Sequence, residues 1–360
     1  MPTPSDVVSI QLAGREHRHW MHYRIDSDLL TPADAWSVSL SPPRTLPDQV
    51  EPGRQVLVKV GGEPVLQGLI DEVEDEVAAE SRSLSLSGRD GAAVLVDCSA
   101  PVFVSRLVGL QEVVSSIVQP LGVTKVRIDG NTRGLAEKVN VEPGDTAWDA
   151  LVKSAEANGL WPWFEPDGTL VVGGPNYARP PVGRLVMRKD GRGNNIKRLV
   201  RHRSIAKRYS HITVLGQQHG TDTYEGRHAL KHTAQDGGVQ VYRPRIQIDH
   251  DAETTEAVKA RSRKLIADGQ LDGLTLTAVV KGHRTADGVL WTPGQRVHVY
   301  SEPHGIDGIY FLMARSFTGG SEVPTETTLT LKDDGVWVLD AHPHKRRSKT
   351  KTAGEVVDLS

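Results

Sequence analysis

The sequence predicts a mainly β chain with α+β insertions: two related small β-barrels plus smaller α+β domains. Three observations predict this class. Short runs alternate apolar and polar residues with the period of two that buries one face of a strand. Glycine (35) and proline (21) are plentiful while aromatics make up only 5 %, a balance suited to short strands and tight turns. The same succession of a Pro-Gly turn followed by strands also occurs near both ends.

From the N-terminus, Val7–Leu12, Trp36–Leu40, Val56–Val60, Val65–Ile70 and Leu84–Leu86 read as strands. Gly61-Gly62 closes a hairpin, and Pro42, Pro43 and Pro47 mark a loop because proline cannot donate to a ladder. After Asp97 the spacing becomes helical: Leu107, Leu110, Val113, Val114, Ile117 and Val118 form a stripe that Pro120 and Gly122 end. Asp145-Thr146 offers N-cap chemistry for a second helix carrying Trp148, Leu151, Val152 and Ala155, closed by Asn158-Gly159. Trp161–Phe164 and Thr169–Val172 then form a hairpin about Pro166-Asp-Gly168.

Gly173–Pro181 is linker-like. Strands resume at Ile196–His202 and His211–Leu215, before a polar insertion at about 217–240 and a helix over Ala252–Ala267 that Asp251 can cap. Leu274–Val280, Val297–Tyr300, Ile309–Met313 and Thr327–Leu331 are strand-like. The expected organisation is an N-terminal β-barrel module at 1–98, an α+β domain at 99–176, and a second barrel from 177–216 and 274–340. An α+β segment is inserted at 217–273, and a flexible basic tail spans 341–360.

The repeat pairs Glu51-Pro-Gly-Arg-Gln-Val-Leu-Val with Thr292-Pro-Gly-Gln-Arg-Val-His-Val. It continues through Leu66–Asp71 against Ile306–Phe311, Ser83–Gly88 against Thr328–Asp333, and upstream Trp36–Leu40 against Thr275–Val279. A trimer of such a chain places six similar modules about one axis, giving pseudo-sixfold symmetry from a threefold assembly.

Charge is nearly balanced, 43 basic against 45 acidic residues, which argues against a general nucleic-acid binder. Cys98 is the lone cysteine, so neither an intrachain disulfide nor a cysteine zinc cage is possible, and folding in a reducing cytoplasm is expected. Neither a signal-peptide pattern nor a run of about 18 apolar residues occurs, so an unexported chain without stable membrane insertion is expected. Gly-x-Ser-x-Gly, His-Glu-x-x-His and phosphate-loop motifs are all missing; the chain is expected not to be an enzyme and to need no cofactor. His17, His19 and His22, and also His342 and His344, have spacings that could bind metal but read as surface histidines. Val141–Trp148 is similar to the opening of a LysM wall-binding module, against which a plain helix cap explains Asp145-Thr146. A peptidoglycan-binding or cell-wall-degrading protein is therefore the alternative function.

Charge is local. Residues 184–208 hold ten basic residues against the single acid Asp190, whereas 71–80 hold six acids. The basic stretch reads as a solvated strand face, as a contact for DNA or an acidic partner, or as the surface that meets the acidic stretch of a neighbouring subunit. The candidate interface residues are Arg188, Arg198, Arg201, Arg203, Asp71, Glu72 and Glu74, with Lys345, Arg346 and Arg347 in the tail.

With the N-terminal barrel pattern, Ser87–Ala100, the helix over 107–118 and Asp145–Val152, the chain resembles the baseplate hub proteins of Mu-like contractile-tailed phages. The resemblance runs over essentially the full length. It implies a homotrimeric ring in the virion's tail baseplate, assembled in the host cytoplasm, joining tail tube to central spike around an axial channel. It also implies neighbouring baseplate proteins as partners, passage of DNA or tape-measure protein, and kinship of fold with the first part of type VI secretion spike proteins.

Overall fold

A computed structural model describes residues 4–40, 50–101, 110–130, 144–216, 230–249, 252 and 254–339, and the backbone of 356–358. The first seven strands are β1 (Val8–Leu12), β2 (Arg15–His17), β3 (His22–Asp28), β4 (Ala35–Leu40), β5 (Gln55–Val60), β6 (Glu63–Val77) and β7 (Arg82–Asp90). An α+β region follows: α1 (Ala92–Asp97), α2 (Leu110–Val118), β8 (Lys125–Ile128), α3 (Ala147–Glu156), β9 (Trp161–Phe164) and β10 (Leu170–Gly173). Next come β11 (Arg184–Met187), β12 (Ile196–Arg203), β13 (His211–Gly216), β14 (Leu230–Gln235), β15 (Pro244–Asp249) and α4 (Thr255–Gly273). The chain then forms β16 (Leu274–Lys281), β17 (Arg296–Ser301), β18 (Ile306–Gly319), β19 (Glu326–Asp333) and β20 (Val356–Asp358).

The mainly β class holds, but not as two closed barrels. Both modules share a thirteen-stranded sheet whose main path runs β12-β16-β19-β18-β3-β4-β7-β6-β5-β1-β2, with β17 branching from β18 and β11 from β17. The modules join where β3 pairs antiparallel with β18, Tyr23–Asp28 against Ala314–Gly319. Because β3 and β18 satisfy each other's backbone groups, among the described residues neither module closes its own ladder. The inward faces of both modules form one apolar cluster, from Val8, Ile25 and Trp36 to Leu276, Phe317 and Leu331.

Local chemistry explains the sheet's irregular points. Trp36, 2 % exposed, lies opposite Gly88, where an added Cβ would sit 1.9 Å from the Leu69 carbonyl oxygen and 2.9 Å from the Trp36 indole nitrogen. A side chain there would collide with backbone, so glycine is required. In β6 an extra residue, Asp71, bulges between Ile70 and Glu72, and the strand continues with β7 beyond the end of β5 as a two-stranded ribbon.

The α+β region has its own core around Leu110, Val114, Ile117, Leu151 and Leu170. α3 begins where expected, the Thr146 hydroxyl accepting the Asp149 amide at 3.0 Å. β8, β9 and β10 form a small sheet that β20 extends antiparallel to β8. β13, assigned by sequence to the second barrel, instead pairs with β14 and β15 and packs on α4. α4 starts later than expected, capped by Thr254 rather than Asp251, which lies outside the described residues along with Leu107 and Pro42, Pro43 and Pro47. The helix runs to Gly273 and feeds directly into β16. No described helix is long and apolar enough to cross a membrane.

The two modules repeat one strand order: β5-β6-β7-β4-β3 corresponds to β17-β18-β19-β16-β12. The ladders correct the sequence pairing. Val56, opposite Gly68, corresponds to Val297, opposite Tyr310, so Gly68 matches Tyr310 rather than Gly308. In this frame the β6 bulge between Ile70 and Glu72 falls on the β18 bulge between Leu312 and Ala314. Leu86 matches Leu329, two residues from the sequence alignment, and Trp36 matches Leu276 rather than Thr275. The slips of two at Gly68 and Leu86 preserve the inward–outward alternation, which is why sequence pattern alone does not detect them, whereas the shift of one at Trp36 moves its match onto the buried Leu276.

Candidate functional site

The molecule's most elaborate polar construction is the joint between the modules. His283 is fully buried, its ring stacked on Phe317 at 4.4 Å between centroids. The Arg315 guanidinium, 4.0 Å from the Phe317 ring centre, donates to the Ile25 carbonyl of β3 and reaches the Val65 carbonyl of β6. Thr327 donates to the Gly282 carbonyl at 2.6 Å, so its oxygen accepts from His283 Nδ1–H; Nε2 therefore accepts from the Tyr23 hydroxyl at 2.8 Å. The His283 amide donates to Asp6, and Arg284 donates to the Ser5 and Val60 carbonyls and to Glu63.

Burial drives the titration of this joint. It holds the His283 imidazole down at about 4, the Arg315 guanidinium down to about 10 and the Tyr23 phenol up to about 12. Asp34, whose carboxylate accepts the Asp28 amide, is pushed up to about 6 by the same desolvation. An open cleft of about 460 Å³ lies alongside, lined by residues including Asp6, Glu63, Lys281 and Arg284. Arg284 is committed to backbone carbonyls and Glu63, so these groups hold the modules together. Among the described residues no three His, Cys, Asp or Glu side chains converge in a group able to hold a metal.

The second notable feature is an eight-strand path, β6-β7-β4-β3-β18-β19-β16-β12, antiparallel at every step. One face is the apolar core. Hydroxyls and charges cover the other: Glu72, Ser87, Ser37, Arg24, Thr318, Glu326 and Lys281 follow one another across successive strands. At one end the outer edge of β6 from Glu72 to Val77 has no ladder partner among the described residues; at the other, β12 pairs only with β16. The free β6 edge is acidic and β12 is basic.

The expected interface residues divide between these edges and internal work. Arg198 and Arg203 are exposed on β12, and the half-buried Arg201 donates to the His304 carbonyl at 2.7 Å. Glu72 and Glu74 are exposed on β6, Glu72 near the Ser87 hydroxyl. Asp71 is instead tied to Arg89, which also holds Asp97 on α1, and Arg188 braces its own turn by donating to the Arg192 carbonyl. Lys345, Arg346 and Arg347 lie outside the described residues. Sequence reasoning did not find His283, Tyr23, Phe317 and Arg315; the alternation of Tyr23 and Ile25 in β3 was the available signal.

Four family profiles match in succession. They are described as the N-terminal part of Mu phage baseplate assembly protein GpP-like (residues 7–90), the second domain of baseplate hub protein gp44-like (92–174), the third domain of tail protein NMB1110-like (208–266) and the C-terminal domain of NMB1110-like tail protein (268–336). The crystal structure of the tail protein from Neisseria meningitidis MC58 is 39 % identical, with a TM-score of 0.83 over 94 % of this chain and 99 % of that one. The chain belongs to the baseplate hub and tail protein family of Mu-like phages. This hub-family chain is 25 % identical over 323 residues to baseplate hub protein gp44 of Escherichia phage Mu, covering 86 % of this chain and 83 % of the Mu protein. The 43 kDa tail protein of prophage MuSo2 from Shewanella oneidensis has the same fold, with a TM-score of 0.80 at 21 % identity over 92 % and 99 % of the two chains. The expected kinship of fold with type VI secretion holds for the E. coli c3393 protein, with a TM-score of 0.56 at 10 % identity over 93 % of this chain and 79 % of that one. The protein is thus a structural component of a phage tail baseplate.

Proposed function

We propose that this hub-family chain works as a homotrimeric ring that joins the tail tube to the central spike and surrounds an axial passage. The carrying observation is the eight-strand path with its two free, oppositely charged edges. Strict alternation makes β6 and β12 run in opposite directions, so copies related by rotation can join β12 of one to β6 of the next as another antiparallel step. Three copies then close the eight-strand path into a continuous ring, six modules round, and its hydroxyl- and charge-covered face lines the passage. A polar lining of this kind suits transit of DNA or a tape-measure protein through the axis. The buried joint keeps the two modules of each chain in one rigid sheet, and the reading assigns no catalytic step to any residue. The separation of the hydrophobic clusters supports division of the chain near residues 176 and 273, and sets the first boundary before α1 rather than at 98, since Ala92 and Leu95 pack in the core of the α+β region. Assembly is placed in the host cytoplasm before docking on spike and tube.

Light scattering on the eluting protein tests the ring. The expected mass is three times the 39.3 kDa of one chain, reduced when Arg198 and Arg201 are both changed to Glu. A stable monomer, or a trimer indifferent to the double reversal, contradicts the charged-edge ring.

A further inference from the structure

The internal repeat supplies a template for the contact between subunits. Within one chain β3 lies against β18; by the repeat β3 corresponds to β12 and β18 to β6. The same two kinds of strand that meet inside the chain are therefore those left free at its ends. Resting on the ring reading above, we infer that β12 of one copy pairs with residues 72–77 of β6 in a second copy in the register of the β3–β18 joint.

The register follows from the ladders residue by residue. The coincident bulges place Glu72 at the position of Ala314, and so Glu74 at Ser316 and Asp75 at Phe317. On the other side Ile25 lies opposite Trp36 as Arg201 lies opposite Leu276, and those two partners correspond, so Arg201 stands for Ile25 and His202 for Asp26. In the joint Ser316 faces Asp26 and Phe317 faces Ile25. Between copies Glu74 therefore faces His202, Asp75 faces Arg201, and Val77 faces Leu199.

Independent features of the two edges agree with this register. It sets acids opposite bases at two successive positions, although the template it is copied from is apolar at one of them. It covers Val77, 70 % exposed, and Val200, 38 % exposed, both solvent-facing apolar residues in the isolated chain. Asp75 already holds Arg82 at 2.8 Å, so Arg201 extends an existing ion pair. Like edges repel: two copies of β6 would align Glu72, Glu74 and Glu76, and two copies of β12 would align Arg198, Arg201 and Arg203. The charged edges thus permit head-to-tail closure and oppose a two-fold dimer. The joint inside the chain is sealed by Phe317, Ile25 and His283, whereas the joint between chains is charged and suited to assembly from soluble subunits.

Cysteine cross-linking tests the register. In a Cys98→Ser background, Glu74→Cys is combined with His202→Cys, Val200→Cys or Ser204→Cys, and mild oxidation is followed on non-reducing gels beside the light-scattering mass. Directly opposed positions are close enough for a disulfide and diagonal ones are not, so the 74/202 pair is expected to form covalent dimers and trimers about tenfold faster or more than the other two. A trimeric mass with faster linking of 74/200 or 74/204 overturns the register and leaves the ring standing. A trimeric mass with no linking by any pair overturns the edge contact itself. A monomeric mass without linking sinks the ring reading beneath it.

Discussion

Acidification from pH 7 to pH 4 probes the buried joint through one imidazole. His283 titrates near 6.5 in an unfolded chain and at about 4 in the folded one, because burial opposes its charge. Its ring is also wired for neutrality, since Nε2 accepts the Tyr23 proton and would have to become a donor. With the folded value depressed, the unfolded chain binds the extra proton first. The stability His283 contributes is complete above about pH 6.5 and is lost as pH falls towards 4. A displacement from 6.5 to about 4 at roughly 1.4 kcal/mol per unit is worth on the order of 3 kcal/mol. The assay is urea unfolding by tryptophan fluorescence between pH 7.5 and 4, comparing wild type with His283→Gln. Other groups, including Asp34 with its opposite trend, titrate in both proteins and cancel in the difference. Wild type is expected to lose about 3 kcal/mol more than the variant across this window. Curves parallel to within about 0.5 kcal/mol would refute the account of the joint.

Three further substitutions test separate parts of the structure. Asp34 is pushed up to about 6, so its charged form is unfavourable at neutral pH; Asp34→Asn should raise the urea midpoint at pH 7.5, with the gain shrinking as pH falls through 6 towards 4. Gly88→Ala would place a methyl 1.9 Å from the Leu69 carbonyl oxygen, and a loss of about 3 kcal/mol or more, or insoluble expression, is expected. Thr146→Ala removes the hydroxyl that caps α3, and thermal unfolding of the purified protein should register a loss of about 1 kcal/mol.

Sequence pattern revealed the elements whose apolar residues alternate strongly. β4, β5 and β19 were legible for that reason, and α3 through its cap and stripe. β3 was not, because His22-Tyr-Arg-Ile-Asp-Ser-Asp28 offers only two large inward side chains among charges, yet it is the strand that joins the modules. β14 and β15 were missed because both are largely exposed: the outward positions of β14 carry lysine and threonine, and in β15 Ile246 and Ile248 are exposed while Gln247 and Asp249 are the less exposed positions, the reverse of the usual pattern. Closure into barrels was expected because each module has enough strands; which edges finally meet is decided by long-range pairing that local alternation does not encode. The opposite charges of 71–80 and 184–208 were visible, but not that Asp71 and Arg188 serve their own chain while Glu74, Arg198 and Arg203 face outward. The alternation of Tyr23 and Ile25 was the only trace of the His283 cluster in the sequence, since Tyr23 and His283 are 260 residues apart.

Electron-microscope class averages of the purified full chain, viewed down the symmetry axis, test the central claim most directly. The account predicts a closed ring of three chains showing six similar lobes around an open centre. An assembly with two-fold symmetry, or a three-chain ring whose lobes alternate between unlike shapes, would contradict it.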